Sequence, residues 1–284
     1  MPTSLDRSRW FVSTEWLAAH LGAPDVVPVD ASWYLPAMGR DAAAEYAAGH
    51  IPGAVRFDLD QVADRSTSLP HMLPGPEAFG AAVGALGIGN GMTIVIYDGL
   101  GLFSAPRVWW TFKVFGAKEV YILDGGAPQW KAEGRAWTDE KTVRQPHHFT
   151  ARYDHSMVRA IDDVRAAIAG SLAQIVDARP AERFSGATPD LRPGVKPGHM
   201  PGARNVPSSG VTEGGRLASA DKLARLFAEA GVVLDKPIIT SCGSGVTASI
   251  LWLALETLGA KHLSLYDGSW SEWGSREDTP IVVD

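Results

Sequence analysis

Gly49-His50-Ile51-Pro52-Gly53-Ala54 and Gly198-His199-Met200-Pro201-Gly202-Ala203 are two copies of one hexapeptide pattern in a single chain. A proline-glycine pair after an apolar residue specifies a tight turn. Around the first copy the chain alternates between extended and helical patterns. Val26 to Val29 runs extended into Asp30, and Ala42 to Ala48 forms a short helix before the turn. Val55-Arg56-Phe57 follows as a strand, and Pro76 opens a helix that stops at Gly87. Met92 to Tyr97 is a strand into Asp98-Gly99, Ala105 to Phe115 a helix, and Val120 to Leu123 a strand into Asp124-Gly125. Further upstream, Ser13 or Thr14 caps a helix ended by Gly22.

The second copy brings the same neighbours. Gln174 to Asp177 repeats the strand into Asp30, and Ala220 to Ala230 repeats the helix from Pro76. Ile238-Ile239 into Cys242 repeats Ile94 to Asp98, and Gly259-Ala260-Lys261 to Asp267-Gly268 repeats Gly116-Ala117-Lys118 to Asp124-Gly125. Asp30 and Asp177, His50 and His199, Asp98 and Cys242, Asp124 and Asp267 are all separated by 143 to 149 residues. A period this long means duplicated domains, not a solenoid. Alternating strands and helices predict an α/β fold: two tandem domains, each a mainly parallel sheet flanked by helices. The polar stretch with Pro146-His147-His148 marks the join. It places the domains at 1–140 and 158–284 with a linker at 141–157.

Of the 284 residues, 45% are hydrophobic and 20% charged, an ordinary globular composition. A net charge of −6 gives no reason to expect nucleic acid or an anionic membrane as partner. Met1 to Trp10 is polar, without the apolar core of a secretory leader, and no apolar run is long enough to span a bilayer. The single cysteine, Cys242, excludes an internal disulfide and an internal resolving thiol, and fits a reducing, cytoplasmic setting.

Cys242 opens the stretch Cys242-Gly243-Ser244-Gly245-Val246-Thr247, between an apolar strand and the apolar helix from Ala248. Backbone N–H groups of such a turn, with a helix N-terminus behind them, make a site for an anion. A cysteine phosphatase would need an arginine six residues after the cysteine, and Ala248 stands there. No cofactor is expected, because Gly99-Leu100-Gly101 lacks the rest of a phosphate-binding fingerprint. No metal is expected, because His147, His148 and His155 have no cysteine beside them.

Two domains, each with an aspartate at a strand end, a Gly-His-x-Pro-Gly-Ala turn and an Asp-Gly pair, resemble the tandem rhodanese-like sulfurtransferases. The Cys-Gly-Ser-Gly-Val-Thr loop resembles the 3-mercaptopyruvate sulfurtransferase branch, as do Phe57 to Asp60, His71 to Gly75, Ser104 to Trp110 and Tyr266 to Trp270. The thiosulfate branch carries basic residues just after the cysteine, where this chain has neutral Gly243 and Ser244.

The resemblance implies sulfur transfer from 3-mercaptopyruvate through a Cys242 persulfide, with pyruvate released and no catalytic cysteine in the first domain. The acceptor would be a thiol such as thioredoxin, or cyanide. Amides of Gly243, Gly245, Val246 and Thr247 would hold the sulfur anion. Arg183 and Arg192 would hold the substrate carboxylate, and Ser244, His71 and Asp60 would form a proton relay. His50 and His199, present in both domains, are expected to be fold elements. Asp98 is expected to take its own loop amides, Arg179 to pair within its domain, and Trp270 to stand near the pocket mouth. Two alternatives remain at this level: a thiosulfate:cyanide sulfurtransferase, and a non-enzymatic persulfide carrier.

Overall fold

The computed structural model describes residues 9–284. The reading of the N-terminus as lacking a secretory leader falls almost wholly on residues outside that range. In the first domain the order is β1 (Phe11–Val12), α1 (Thr14–His20), β2 (Val26–Asp30), α2 (Ala42–Ala48), β3 (Val55–Arg56), α3 (Pro76–Ala85), β4 (Thr93–Tyr97), α4 (Ala105–Val114), β5 (Val120–Leu123) and α5 (Gly126–Ala132). The second contains β6 (Val158–Arg159), α6 (Ile161–Gly170), β7 (Gln174–Asp177), α7 (Ala181–Phe184), β8 (Arg204–Asn205), β9 (Thr212–Glu213), β10 (Arg216–Leu217), α8 (Ala220–Glu229), β11 (Ile238–Ser241), α9 (Ala248–Thr257), β12 (Leu263–Tyr266) and α10 (Ser269–Trp273).

Each domain holds a five-stranded parallel sheet, ordered β1-β5-β4-β2-β3 and β6-β12-β11-β7-β8. Counted within each sheet in chain order, the strand order is the same in both. Every residue of β2 and of β7 is buried, as strands covered by helices on both faces must be. The antiparallel β9–β10 hairpin has no counterpart among the described residues of the first domain.

The repeated hexapeptide makes the same turn twice. Gly53 and Gly202 sit at φ +76° and +71°, where a side chain would be strained. His50 stacks on Tyr46 and shares a hydrogen bond of 2.9 Å with its carbonyl. His199 does the same with Phe184, also at 2.9 Å. Each histidine also bridges to the chain leaving its own domain, at Thr138 and Val282. Both histidines are therefore fold elements.

The segment between the domains lies along the first one. Its backbone bonds to Gly84, Asn90, Phe115 and Val114, and Phe149 is buried edge-on against Phe79 and Phe112. The domains meet through α4 and α9, the helices that follow the two equivalent loops. Nearly every residue of both helices is buried, and Trp109 packs edge-on against Trp252 with ring centres 5.6 Å apart. A helix apolar all round needs cover on all sides, and here each helix supplies it to the other. One hydrophobic core thus runs through both domains. Asp98 and Cys242 both follow the last residue of a central strand, at the sheet edge where open α/β folds bind ligands.

Candidate active site

Cys242 is buried at the end of β11, and its loop is tied down by α10. The N–H of Trp270 donates to the Cys242 carbonyl and that of Ser271 to the Gly243 carbonyl, both at 2.9 Å. The Ser271 hydroxyl adds a second bond to the Gly243 carbonyl. These bonds fix the loop's carbonyls on α10. Among the described residues, the N–H groups of Gly243, Ser244, Gly245, Val246 and Thr247 have no protein acceptor. Such a run of free amides at the start of a helix attracts an anion.

The first domain shows what this type of loop does when it carries its own anion. Asp98 accepts the N–H groups of Leu100 at 2.8 Å, Phe103 at 2.7 Å and Ala105 at 2.8 Å. Its carboxylate fills the place that the cysteine sulfur has in the second domain.

A pocket of about 130 Å³ opens over Cys242. Gly243, Ser244, Val246 and Thr247 form its floor, and Arg183 and Arg192 its polar wall. Arg183 stands on α7, while Arg192 lies on the following loop, beside Gly243. A Cβ at position 243 would come within 3.3 Å of the Arg192 guanidinium. Neither guanidinium bonds to a protein group among the described residues. Gly245 does not line the pocket. It sits at φ +78°, and a Cβ there would press on Arg107 from the first domain.

The first domain supplies the rest of the site. The His71 imidazole is buried, with Nδ1 3.0 Å from Ser244 Oγ and Nε2 3.1 Å from Asp60 Oδ1. A carboxylate only accepts, so Nε2 carries the proton and Nδ1 is left to accept the serine O–H. The hydrogen bond with His71 is the largest influence on Asp60 and holds its carboxyl below the usual range, against a smaller opposing effect of partial burial. The other Asp60 oxygen takes the Trp33 indole N–H at 3.1 Å. Trp33 also stands edge-on to His71, ring centres 4.8 Å apart.

Arg179 is buried and forked onto Asp177, with bonds of 2.7 to 3.1 Å. Trp270 is not at the pocket mouth. It is fully buried beneath Arg179, and its indole N–H donates to the Lys196 carbonyl at 2.9 Å. The reason is local: α10 spends its first amides on the cysteine loop, which turns residue 270 inward. The aromatic walls are Trp33 and Phe103, both from the first domain. No stretch around either residue signals this role, because it arises only when the domains dock. Arg107 gave a signal that sequence reasoning passed over: it is the one charged residue among the apolar positions of Ala105 to Trp110.

No cluster of three or more His, Cys, Asp or Glu placed to hold a metal occurs among the described residues. No helix among them is long and apolar enough to cross a membrane.

Residues 13–133 and 160–276 each match the family model of the rhodanese-like domain. The chain is 44% identical over 274 residues to a 3-mercaptopyruvate sulfurtransferase of Escherichia coli (strain K12), covering 96% of this chain and 97% of the relative. A mitochondrial thiosulfate/3-mercaptopyruvate sulfurtransferase 1 of Arabidopsis thaliana is 41% identical over 301 residues, covering 98% and 79%. The crystal structure of SseA from Escherichia coli, described as showing the rhodanese fold and catalytic mechanism of 3-mercaptopyruvate sulfotransferases, superposes with a TM-score of 0.85. It is 43% identical, covering 92% of this chain and 98% of that one.

Proposed function

The chain belongs to the rhodanese-like family, and from that premise we propose that it is a sulfurtransferase that takes sulfur from 3-mercaptopyruvate through a persulfide on Cys242 and releases pyruvate. The observation that carries this reading is a buried cysteine whose loop keeps five free amides beneath a pocket walled by two unpaired arginines. A small 2-oxo acid needs a cation for its carboxylate, and a planar guanidinium offers two donors at once. Arg183 and Arg192 take that role.

The Cys242 thiolate attacks the substrate sulfur. The S–S bond forms as the C–S bond breaks, and the electron pair of the C–S bond goes to C3 as an enolate. The thiol proton moves to C3, giving pyruvate and an anionic persulfide. Ser244 passes that proton, with His71 as the base and acid behind it and Asp60 holding the imidazole. The loop amides hold the thiolate before the step and the persulfide after it. With no second cysteine, the sulfur leaves to an external thiol such as thioredoxin, or to cyanide. The lone cysteine also supports a reducing, cytoplasmic setting.

The test is intact mass after exposure to 3-mercaptopyruvate. One added sulfur atom is expected on the wild type and none on Cys242→Ser. Absence of the added sulfur on the wild type would leave a carrier loaded by another protein. The Arabidopsis relative's name carries both donors. A higher kcat/KM for thiosulfate would move this chain to the thiosulfate reading, against the neutral Gly243-Ser244 pair.

A further inference from the structure

The relay histidine is held in an unusual backbone state. His71 has φ +61°, one of three residues other than glycine with positive φ among the described residues. A residue there persists only when its surroundings hold it. Two bonds from elsewhere in the fold do so. Arg107, on α4, donates from one guanidinium nitrogen to the His71 carbonyl at 2.5 Å. The N–H of Leu73, two residues on, donates to Asp267 Oδ2 at 2.8 Å. Arg107 and Asp267 are joined in turn, the same guanidinium nitrogen giving its other hydrogen to Asp267 Oδ1 at 2.6 Å. The His71-Met72-Leu73 backbone is thus clasped by a buried ion pair that spans the two domains.

Asp267 is also close to the cysteine. It directly follows β12, and Ser269 and Trp270 just beyond it bond to the Cys242 N–H and carbonyl. Arg107 touches the loop from behind at Gly245, where any side chain would collide with it. The clasp therefore refers the position of His71 to the loop that carries Ser244. Nε and the second terminal nitrogen of Arg107 are buried with no hydrogen-bond acceptor among the described residues, the guanidinium lying over the Trp110 ring 4.7 Å from its centre. Unpartnered buried donors weigh against folding.

We propose that Arg107 is a positioning residue of the relay: paired with Asp267, it holds the His71 backbone so that the imidazole meets the Ser244 hydroxyl. This rests on the relay reading above. A misplacement of about 1 Å in such a constellation can lower the rate about 100-fold.

The experiment is a double-mutant cycle on kcat and KM for 3-mercaptopyruvate, normalised to titratable Cys242 thiol. The first arm is Arg107→Gln with Asp267→Asn, which removes both charges together. The second is Arg107→Lys, which keeps a positive charge for Asp267 but replaces the planar guanidinium with a shorter, differently placed ammonium, and it carries the test if the first does not fold. Each is made alone and with His71→Ala. The expected result is a kcat lowered by roughly 10- to 100-fold in the charge-free pair, a smaller loss in Arg107→Lys, and little change in KM. Neither should add a loss once His71 is alanine. Losses that multiply with His71→Ala, or a wild-type kcat in the Arg107 variants beside an impaired His71→Ala, overturn the proposal and leave the relay standing. A wild-type kcat in His71→Ala overturns the relay and this role of Arg107 with it.

Discussion

His71 and Ser244 lie 173 residues apart in the chain and in different domains, yet His71 Nδ1 is 3.0 Å from Ser244 Oγ. Cys242 is in one domain and the proposed base of the relay in the other. Removal of a positioned acid or base lowers rate by about 10² to 10⁴. Ser244→Ala and His71→Gln are expected to lower kcat on 3-mercaptopyruvate by roughly 100-fold or more, with KM little changed. Steady-state kinetics on both variants check this, and a loss confined to KM would count against the relay.

Asp60 predicts a pH dependence. Its carboxyl is held below the ordinary 3.8, first by the hydrogen bond with His71. A depressed carboxylate contributes in its charged form above its unfolded value and loses that contribution as pH falls through the folded one. Asp60→Asn should therefore have a lower kcat than the wild type across neutral and mildly acid pH. The gap should close only below pH 3.8. A gap that closes near neutrality would mean that Asp60 is not what orients His71.

The two pocket arginines should separate binding from chemistry. Loss of one charge-assisted contact weakens binding by about 1.5–3 kcal/mol. Arg183→Ala and Arg192→Ala are each expected to raise KM by roughly 10- to 100-fold. Arg192→Lys should recover less than charge alone would restore, because a lysine lacks the planar fork. Initial rates across substrate concentration test this, and unchanged KM in both alanine variants would remove the carboxylate clamp.

The duplicated turn explains why so much of the fold was legible. His50 and His199 each stack on and bond to a residue shortly before the turn, Tyr46 and Phe184, and these local contacts are what the repeat reveals; their backbone bridges to Thr138 and Val282 reach far along the chain. Strands such as β2 and β11 announced themselves as apolar runs ending in a polar residue. The β9–β10 hairpin did not, because its strands are two residues each. In the site, the cysteine loop was readable as a local text. Trp33 was not, since its place on the pocket wall arises only when the domains dock, and Arg107, the one charge among apolar helix positions, gave no hint of its partner because Asp267 lies across the domain interface. Trp270 was misplaced for the converse reason. Its neighbourhood is that of the active loop, but its own side chain points into the core.

Asp98 tests the idea that the first domain is a scaffold. Its carboxylate satisfies three loop amides, so Asp98→Ala leaves them without an acceptor. An unmet buried donor costs about 1–3 kcal/mol. The variant should be less stable by at least about 2 kcal/mol, while Cys242 still takes up sulfur from 3-mercaptopyruvate at close to the wild-type rate. Chemical denaturation and single-turnover persulfide formation are the two measurements. Unchanged stability would mean that the loop does not depend on an internal anion.

Asp30 and Asp177 hold equivalent places at the ends of β2 and β7, but their surroundings differ. Two residues on, Asp177 has Arg179, which forks onto it, where Asp30 has only Ser32. Burial pushes the Asp30 carboxyl above the ordinary 3.8, more than its bonds to Ser32 pull it down. The fold therefore favours the protonated form. Between pH 3.8 and the raised folded value the native state binds more protons than the unfolded chain, so this group lowers stability as pH rises. Asp30→Asn removes that dependence and should gain stability relative to the wild type as pH rises from 3.8 to neutrality. Asp177→Asn should do the opposite, since it strands a buried Arg179 charge. Breaking such a pair costs about 3–5 kcal/mol. Denaturation midpoints of both variants at acid and neutral pH decide the matter. A loss in Asp30→Asn as large as that in Asp177→Asn would show that Asp30 is ionised and paired in the folded protein.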